Sequence, residues 1–191
     1  MRRLIDVLGS SILLLLAAPL LLTTALAIWL SDRGNVFYHQ TRVGLHGRPF
    51  NLLKFRSMRV NNLPFDDVTE IRERHPLVTS VGKWIRRFRI DELPQLLNVL
   101  RNEMALVGPR PERPEFVATL SEQIPYYVYR HCVRPGITGW AQINYKYGDT
   151  LEDTISKLEY DLFYIKNMSL RLDSYIIFHT VKAMIVSRGA Q

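Results

Sequence analysis

The longest pattern in the chain is an almost unbroken apolar run near its N-terminus. From Leu4 to Leu30 the only charged residue is Asp6, and about 20 apolar residues are enough to cross a bilayer core. A cleaved signal peptide has a shorter apolar segment, of about 7–15 residues, so the run predicts a retained membrane helix. Pro19 lies near its middle, where proline removes a backbone hydrogen bond and bends a helix.

Basic residues on both sides of this run favour a helix that enters and leaves by the same membrane face. Arg2 and Arg3 precede it, and several arginines and lysines follow from Arg33 onward. The positive-inside rule would place both flanks in the cytoplasm, which a straight span cannot satisfy. We therefore predict a re-entrant anchor over residues 1–32 and a separate domain over 33–191, with a spanning helix as the alternative.

The remaining pattern predicts an α+β, mainly α fold with a small β-hairpin and amphipathic helices suited to a core or a membrane interface. Apolar residues recur at helical spacing after Thr150, and a glycine-bearing turn around Gly44 separates two strand-like segments. The predicted strands are Val36–Gln40 and Pro49–Phe55, the predicted helices are Glu115–Gln123, Leu151–Ile165 and Leu172–Val186, and a loop at Asn61–Pro76 has a short helix at Asp66–Arg74.

The composition indicates a negatively charged binding partner but does not identify which one. The chain has 191 residues, of which 47% are hydrophobic, and a net charge of +7. This excess of positive charge favours nucleic acid, acidic lipid or phosphorylated metabolites. A single cysteine, Cys132, excludes an internal disulfide and fits a reducing compartment.

The strongest chemical signal is a pair of adjacent acids, Asp91 and Glu92, set among basic residues just before an apolar helical run. Carboxylates hold Mg²⁺ and arginines bind phosphate oxygens, so the mixture is typical of a site that handles both. The simpler alternative is that the two acids only favour a helix start. The surrounding arginines are Arg86, Arg87, Arg89 and Arg110, the last between Pro109 and Pro111.

Two further sites are open to two interpretations on pattern alone. Lys54 and Arg56 alternate along a predicted strand, where they could bind phosphate or only face solvent. Asp161 lies within one turn of the apolar stripe of its helix, so it is either a functional acid or the border of that stripe.

Together these segments resemble the bacterial sugar transferases, the monotopic phosphoglycosyl transferases. The resemblance covers nearly the whole chain, and several motifs in order are more specific than any one. Met1-Arg2-Arg3 favours the small type that consists of the catalytic domain alone. The matching segments are Gln40–Gly44, Lys54–Met58, Arg86–Arg87, Asp91–Leu96, Asn98–Arg101, Leu106–Pro111, Arg134–Trp140 and Tyr160–Ile165.

The resemblance implies a two-step transfer on the cytoplasmic face of the bacterial inner membrane. Asp91 would attack the sugar-linked phosphate of a UDP-sugar, release UMP and carry the phosphosugar. Polyprenol (undecaprenyl) phosphate would then accept it, which is the first membrane step of glycoconjugate or exopolysaccharide synthesis. The implied partners are these two substrates, membrane lipid and downstream glycosyltransferases, without nucleic acid.

The resemblance also assigns roles to individual residues. Glu92, with Asp91, would bind Mg²⁺, and Arg110 would contact phosphate. Lys54, Arg56 and Arg86 match other basic positions of the site, and Asp161 matches an acidic position of the tail motif. These assignments define the predicted site.

One departure concerns the bend of the membrane helix. Relatives often have Ser-Pro there, whereas this chain has Ala18-Pro19. A serine hydroxyl can compete for backbone carbonyls, so proline must bend this helix alone.

Other classes of protein share some of these features. A membrane-anchored basic adaptor for acidic lipid or nucleic acid would explain the charge, but carboxylates among the arginines would weaken its binding to phosphate backbones. A Mg²⁺-dependent phosphohydrolase could use the same acidic pair with water, and an ordinary glycosyltransferase would move only the sugar.

Overall fold

The computed structural model describes residues 1–59, 77–145, 148 and 150–186. It is mainly helical with two small sheets, which confirms the predicted fold class, and the predicted helix at Asp66–Arg74 lies outside the described residues. The helices are α1 Arg2–Asp32, α2 Ser80–Arg87, α3 Gln95–Leu100, α4 Pro114–Gln123, α5 Trp140–Asn144, α6 Leu151–Lys166 and α7 Leu170–Val186; the strands are β1 Phe37–Val43, β2 Pro49–Phe55, β3 Ala105–Val107 and β4 Gly136–Thr138.

Helix α1 is long and apolar enough to cross a membrane, and in the described part of the chain it is the one helix of that kind. It continues through Pro19, after which the Thr23 hydroxyl donates to the carbonyl of Pro19 at 3.0 Å. Its middle is highly exposed, with Leu15, Leu16 and Leu22 between 71% and 76% accessible. Large exposed apolar patches of this kind mark surfaces that contact a membrane or another protein.

The N-terminal end of α1 is bonded to the rest of the protein. The Arg3 guanidinium donates to the carbonyls of Val99 and Leu100 at 2.7 and 3.0 Å. These carbonyls lie at the C-terminal end of α3, which attracts cations. A second contact joins Asp6 Oδ1 to the backbone N–H of Leu106 at 3.1 Å.

The C-terminal end of α1 packs against the same body. Ile28 is buried in a cluster with Phe55, Ile85 and Ile90. The helix ends at Arg33, which adopts a left-handed conformation with φ of 52° and bonds back to the Trp29 carbonyl. Both ends of the anchor therefore contact one globular unit, and the exposed apolar stretch lies between them.

The hairpin confirms the two predicted strands. β1 and β2 pair antiparallel, with Phe37 opposite Phe55 and Val43 opposite Pro49. The connection contains a short 3₁₀ turn at Leu45–Gly47, where Gly47 has φ of 74°. Glycine adopts positive φ without a steric penalty, so the turn is the one that the glycine-bearing sequence favours.

The second sheet joins distant segments and was not predicted. β3 and β4 pair in parallel, with Ala105 opposite Gly136 and Val107 opposite Thr138. The backbones approach closely just beyond β3: a Cβ on Gly136 would lie 2.1 Å from the nitrogen of Gly108. This pairing fixes the start of the loop that carries Arg110.

The three longer helices that follow β3 agree with the sequence pattern. α4 and α7 begin one and two residues earlier than predicted, and α6 begins at Leu151 as expected. The N-terminus of α6 has a reciprocal capping box, in which the Thr150 hydroxyl accepts from Asp153 N–H and the Asp153 carboxylate accepts from Thr150 N–H. Such caps fix where a helix begins.

Candidate active site

The two adjacent acids lie in a short 3₁₀ turn, Ile90–Glu92, rather than in the first turn of α3. Arg89 enters this turn with a left-handed φ of 57°, and Pro94 forms the N-cap of α3. Ile90 is buried in the apolar cluster that also holds Ile28 of α1. Because Ile90 is anchored in this core, the adjacent carboxylates have fixed positions: Glu92 is buried and Asp91 is half-buried.

Glu92 is the centre of a cluster of cations. Its Oε1 accepts hydrogen bonds from Lys54 Nζ at 3.1 Å and from Arg110 Nη2 at 2.9 Å, and its Oε2 lies 3.6 Å from Arg89 Nη1. Burial alone would raise the pKa of Glu92, but Arg110, Lys54 and Arg89 together hold it well below its usual range. Glu92 is therefore ionised throughout the physiological pH range.

Asp91 has a different environment from its neighbour. Burial and the negative charge of Glu92 raise its pKa, against the opposing effect of Lys54, Arg86 and Arg89. Its Oδ1 is buried and accepts no hydrogen bond from the residues that the structure describes. Since buried polar atoms are normally paired, this oxygen lacks a partner that a bound ligand would supply.

Lys54 is the second-to-last residue of β2, and its side chain reaches the acidic pair. Burial and Arg110 lower its pKa, while Glu92 and Asp91 oppose that change. The backbone of the same strand is held by α3, since the Leu53 N–H donates to Asn98 Oδ1 at 3.0 Å. The hairpin and α3 thus hold Lys54 and the acidic pair in one unit.

The loop that carries Arg110 is tied down at several points, and we refer to residues 107–111 as the arginine loop. The Gly108 N–H donates to the Thr138 carbonyl, and the Gly136 N–H donates to the Pro109 carbonyl, both at 2.9 Å. Arg42 Nη1 donates to the Pro111 carbonyl at 3.0 Å. These bonds and the two prolines restrict the backbone on both sides of Arg110.

The predicted site residues divide into two groups. Lys54, Arg110 and Glu92 are in direct contact, and the charge of Arg86 acts on Asp91. Arg86 also donates from Nε to Ser57 Oγ at 2.8 Å. Their roles remain predictions.

The contacts described for the other two predicted residues are with other groups. Arg56 is buried with its guanidinium beside Gly34, so that a Cβ on Gly34 would lie 2.5 Å from Arg56 Nη1. Asp161 is 2% exposed and pairs with Arg130, whose Nη2 is 2.8 Å from Asp161 Oδ2. Burial raises the pKa of Asp161, and Arg130 opposes this.

Arg130 is the residue that the sequence reasoning missed. It lies in an aromatic stretch that forms a 3₁₀ segment, Tyr127–Cys132. Its guanidinium also donates to the Arg110 carbonyl at 2.9 Å and to the Tyr127 hydroxyl at 2.7 Å. No local spacing indicates a partner 31 residues away, so no motif could have revealed it.

The residues present suit a Mg²⁺ site in which the protein supplies some of the ligands and the substrate supplies the others. In the described part of the chain, no group of three or more His, Cys, Asp or Glu side chains could hold a metal. Mg²⁺ is commonly bound by one or two carboxylates together with substrate phosphates. Asp91 Oδ1 has no hydrogen-bond partner among the described residues, and Glu92 Oε2 has a 3.6 Å contact with Arg89 but not the closer bonds that Oε1 accepts, so the two acids fit such a site.

The acidic pair is surrounded by Lys and Arg and follows Ile90, which packs against the apolar helix α1. This combination is typical of one class, the membrane-associated proteins that bind phosphorylated compounds. Comparison with known proteins gives the particular family. The family described as bacterial sugar transferase matches residues 1–187. The chain belongs to that family.

Individual relatives are similar along the whole chain. The chain is 45% identical over 194 residues to the UDP-N-acetylgalactosamine-undecaprenyl-phosphate N-acetylgalactosaminephosphotransferase of Aeromonas hydrophila, covering 100% of this chain and 45% of the relative. It is 49% identical over 194 residues to the undecaprenyl-phosphate glucose phosphotransferase of Komagataeibacter xylinus, covering 99% and 36%. It is 41% identical over 191 residues to a UDP-glucose:undecaprenyl-phosphate glucose-1-phosphate transferase of Caulobacter vibrioides, covering 99% and 71%. The chain thus spans less than half of the first two relatives.

Proposed function

We propose that the chain is a phosphoglycosyl transferase that moves a phosphosugar from a UDP-sugar to polyprenol (undecaprenyl) phosphate through a covalent aspartyl intermediate. The observation that carries the proposal is Asp91 Oδ1, a buried carboxylate oxygen without a hydrogen-bond donor among the described residues, beside Glu92 and its three cations. The names of the relatives, which refer to undecaprenyl phosphate and to sugar phosphotransfer, support the same substrates.

In the first step, a carboxylate oxygen of Asp91 attacks the phosphorus that bears the sugar. The new bond is an acyl phosphate, and the bond that breaks joins this phosphorus to the bridging oxygen of the diphosphate. UMP leaves with that oxygen and its electron pair. Carboxylates act as nucleophiles in aspartyl-phosphate chemistry, and phosphoryl transfer depends mainly on positioning and charge neutralisation.

In the second step, a phosphate oxygen of the polyprenol phosphate attacks the same phosphorus. The bond to the Asp91 oxygen breaks, which gives polyprenol diphosphate sugar and restores the carboxylate. Lys54 and Arg110 lie against the acidic pair, so both can stabilise negative charge on the transferring group. Arg110 suits this role because a guanidinium can donate two parallel hydrogen bonds to phosphate oxygens.

Mg²⁺ is the proposed cofactor, with Asp91 and Glu92 as the residues that would hold it. When bound, such an ion neutralises charge on the diphosphate and reduces its repulsion from an anionic nucleophile. The protein residues supply the rest: Glu92 is kept ionised by its cations, and Lys54 and Arg110 lie within hydrogen-bond distance of it.

The anchor is proposed to be re-entrant, with the site on the cytoplasmic face of the inner membrane. Support comes from α1, because Arg3 and Ile28 at its two ends both contact the same body. A helix held in this way inserts its exposed middle into one leaflet and returns. The packing of Ile28 near Ile90 keeps the acidic pair close to the lipid surface, where the phosphate of a polyprenol would lie.

The full chain in nanodiscs, mixed with Mg²⁺, polyprenol phosphate and a panel of UDP-sugars, tests the reaction. The panel includes UDP-glucose and UDP-N-acetylgalactosamine, since the relatives are named for these sugars. We expect UMP as the product. Release of UDP would mean transfer of the sugar alone, and hydrolysis without acceptor would mean a phosphohydrolase. No turnover with any sugar would favour the adaptor.

A second experiment tests the covalent step. Without polyprenol phosphate, the chain should release close to one UMP per site and gain the mass of a phosphosugar on the peptide that contains Asp91. Asp91→Asn should abolish both signals while the protein remains in the membrane. Glu122→Gln, a change of an exposed acid, is the matched control and should behave as the wild type. A full UMP burst from Asp91→Asn would exclude Asp91 as the nucleophile.

A further inference from the structure

Helix α6 is tied to the arginine loop at two points. The Tyr164 hydroxyl lies 3.0 Å from the Val107 carbonyl oxygen and 2.8 Å from Asp173 Oδ1, and its single hydrogen can be donated to either. Asp161, three residues earlier and therefore on the same helix face, accepts from Arg130 Nη2 at 2.8 Å. The same Nη2 donates to the Arg110 carbonyl at 2.9 Å. One helix thus holds both the beginning of the loop and its central residue.

The arginine loop is bonded at most of its carbonyls, and each bond comes from a different part of the chain. The β4 backbone bonds Pro109, and Arg42 of β1 bonds Pro111. The carbonyl of Arg110 depends on Arg130. This bond acts directly on the residue whose side chain reaches Glu92.

The chemistry of Arg130 suits a bridge rather than a surface charge. Arg130 is 7% exposed and Asp161 2%, so Asp161 compensates a charge that could not otherwise be buried. The planar fork of a guanidinium can bond several acceptors at once, and here they are a carboxylate, a carbonyl and the Tyr127 hydroxyl. The Asp161 carboxylate is thus already paired within the protein, whereas Asp91 Oδ1 has no hydrogen-bond partner among the described residues.

We infer that Asp161 and Arg130 are positioning residues that act through the backbone of Arg110. Asp161 orients the Arg130 guanidinium, Arg130 holds the Arg110 carbonyl, and Arg110 in turn places its own guanidinium on Glu92 Oε1. The inference rests on the proposed function, in which Arg110 stabilises the transferring phosphate. It replaces direct phosphate binding by Asp161 with an indirect role.

The first test measures kcat and KM of the full chain for its UDP-sugar. A misplacement of about 1 Å in a reacting group can cost about 100-fold in rate, so we expect Asp161→Asn and Arg130→Lys each to lower kcat by about 10- to 100-fold, with less change in KM. Arg130→Lys retains the charge but not the fork. Asp153→Asn is the control on the same helix: it weakens the cap of α6 and should lower Tm without lowering kcat. Unchanged kcat in both test variants would overturn the inference.

The second test separates an indirect role from direct contact. If Asp161 acts through Arg110, Asp161→Asn should lower kcat by less than about twofold in an Arg110→Lys background, because residues in one network are not additive. If Asp161 touched the substrate itself, the two losses would multiply, and the inference would fail.

A third readout needs no turnover. Hydrogen exchange of the peptide that spans the arginine loop should become faster in Asp161→Asn and Arg130→Lys and remain unchanged in Asp153→Asn. If the wild type turned over no UDP-sugar, the proposed function would fail, while this exchange pattern would still decide whether the bridge holds the loop. Equal exchange in all four proteins would exclude it.

Discussion

Replacement of Glu92 by Gln tests the electrostatic account of the site most directly, because it removes one charge and almost no volume. In the wild type, Oε1 of Glu92 lies 3.1 Å from Lys54 Nζ and 2.9 Å from Arg110 Nη2. An amide oxygen can still accept both hydrogen bonds, but without the negative charge. The change therefore isolates charge from packing.

The expected loss of stability follows from these two bonds. A hydrogen bond to a charged group contributes about 1.5–3 kcal/mol and a neutral one about 0.5–1.5 kcal/mol. Each of the two hydrogen bonds to Glu92 should therefore contribute about 1 kcal/mol less to stability after the substitution. The side chain of Arg110 is 32% exposed, and solvent screening reduces its share to about half. We expect a total of about 1.5 kcal/mol, or a decrease in Tm of about 3–6 °C for a chain of this length.

The pH dependence gives a sharper test than the value at one pH. Since folding lowers the pKa of Glu92, its ionised form stabilises the fold above the ordinary pKa of glutamate, about 4.3, and this contribution is lost as the pH falls toward the folded value. The difference in unfolding free energy between the two chains should be constant from about pH 8 to pH 5 and should narrow below about 4.3.

The assay is thermal or urea unfolding in detergent, followed by circular dichroism. Both chains carry Asp91→Asn, so that titration of the neighbouring acid does not contribute, and Glu122→Gln in the same background is the control for loss of an exposed acid. Equal stability of the two chains at pH 7, or a difference that grows below pH 5, would refute the account of Glu92 as an acid stabilised by its cations.

Three further predictions concern backbone packing, titration and topology. Gly108→Ala should lower Tm by several degrees in the same unfolding assay, because its Cβ would lie 2.4 Å from the Arg134 carbonyl oxygen; an unchanged Tm would contradict this. The pKa of Asp91 is raised by burial and by Glu92, so kcat/KM should fall as the pH drops through a value above that of free aspartate, about 3.9; a plateau down to pH 4 would exclude it. In sealed vesicles, exposed Cys132 and, in Cys132→Ser, a cysteine added before Met1 should react with impermeant maleimide from the same side; labelling from opposite sides would indicate a spanning helix.

Local sequence determined the elements that could be predicted. The hairpin was recognisable because glycines punctuate two strand-like segments, and α6 because its apolar residues recur over 16 residues behind a Thr150 cap. The β3–β4 sheet could not be predicted, because a strand of three residues is too short to show an alternation of apolar and polar residues. Its pairing also joins segments about 30 residues apart. Long-range pairing depends on tertiary context that a local pattern does not contain.

The same distinction applies to the site. Asp91, Glu92 and Arg110 were found because motif order singled them out, and the structure brings Glu92 and Arg110 into contact. It does not do so for Asp161, whose partner Arg130 depends on how α6 packs against a 3₁₀ segment. Spacing identifies residue types that suit a reaction, but not which of them reach each other in the folded chain.

The burial of Ile28 among Phe55, Ile85 and Ile90 makes the anchor part of the folding unit. A version shortened to start after α1 would open this hydrophobic cluster at Ile90, the residue next to the proposed nucleophile Asp91. In the proposed membrane-bound enzyme, the depth of α1 in the bilayer and the position of Asp91 would therefore be coupled, and activity should depend on the thickness of the lipid leaflet.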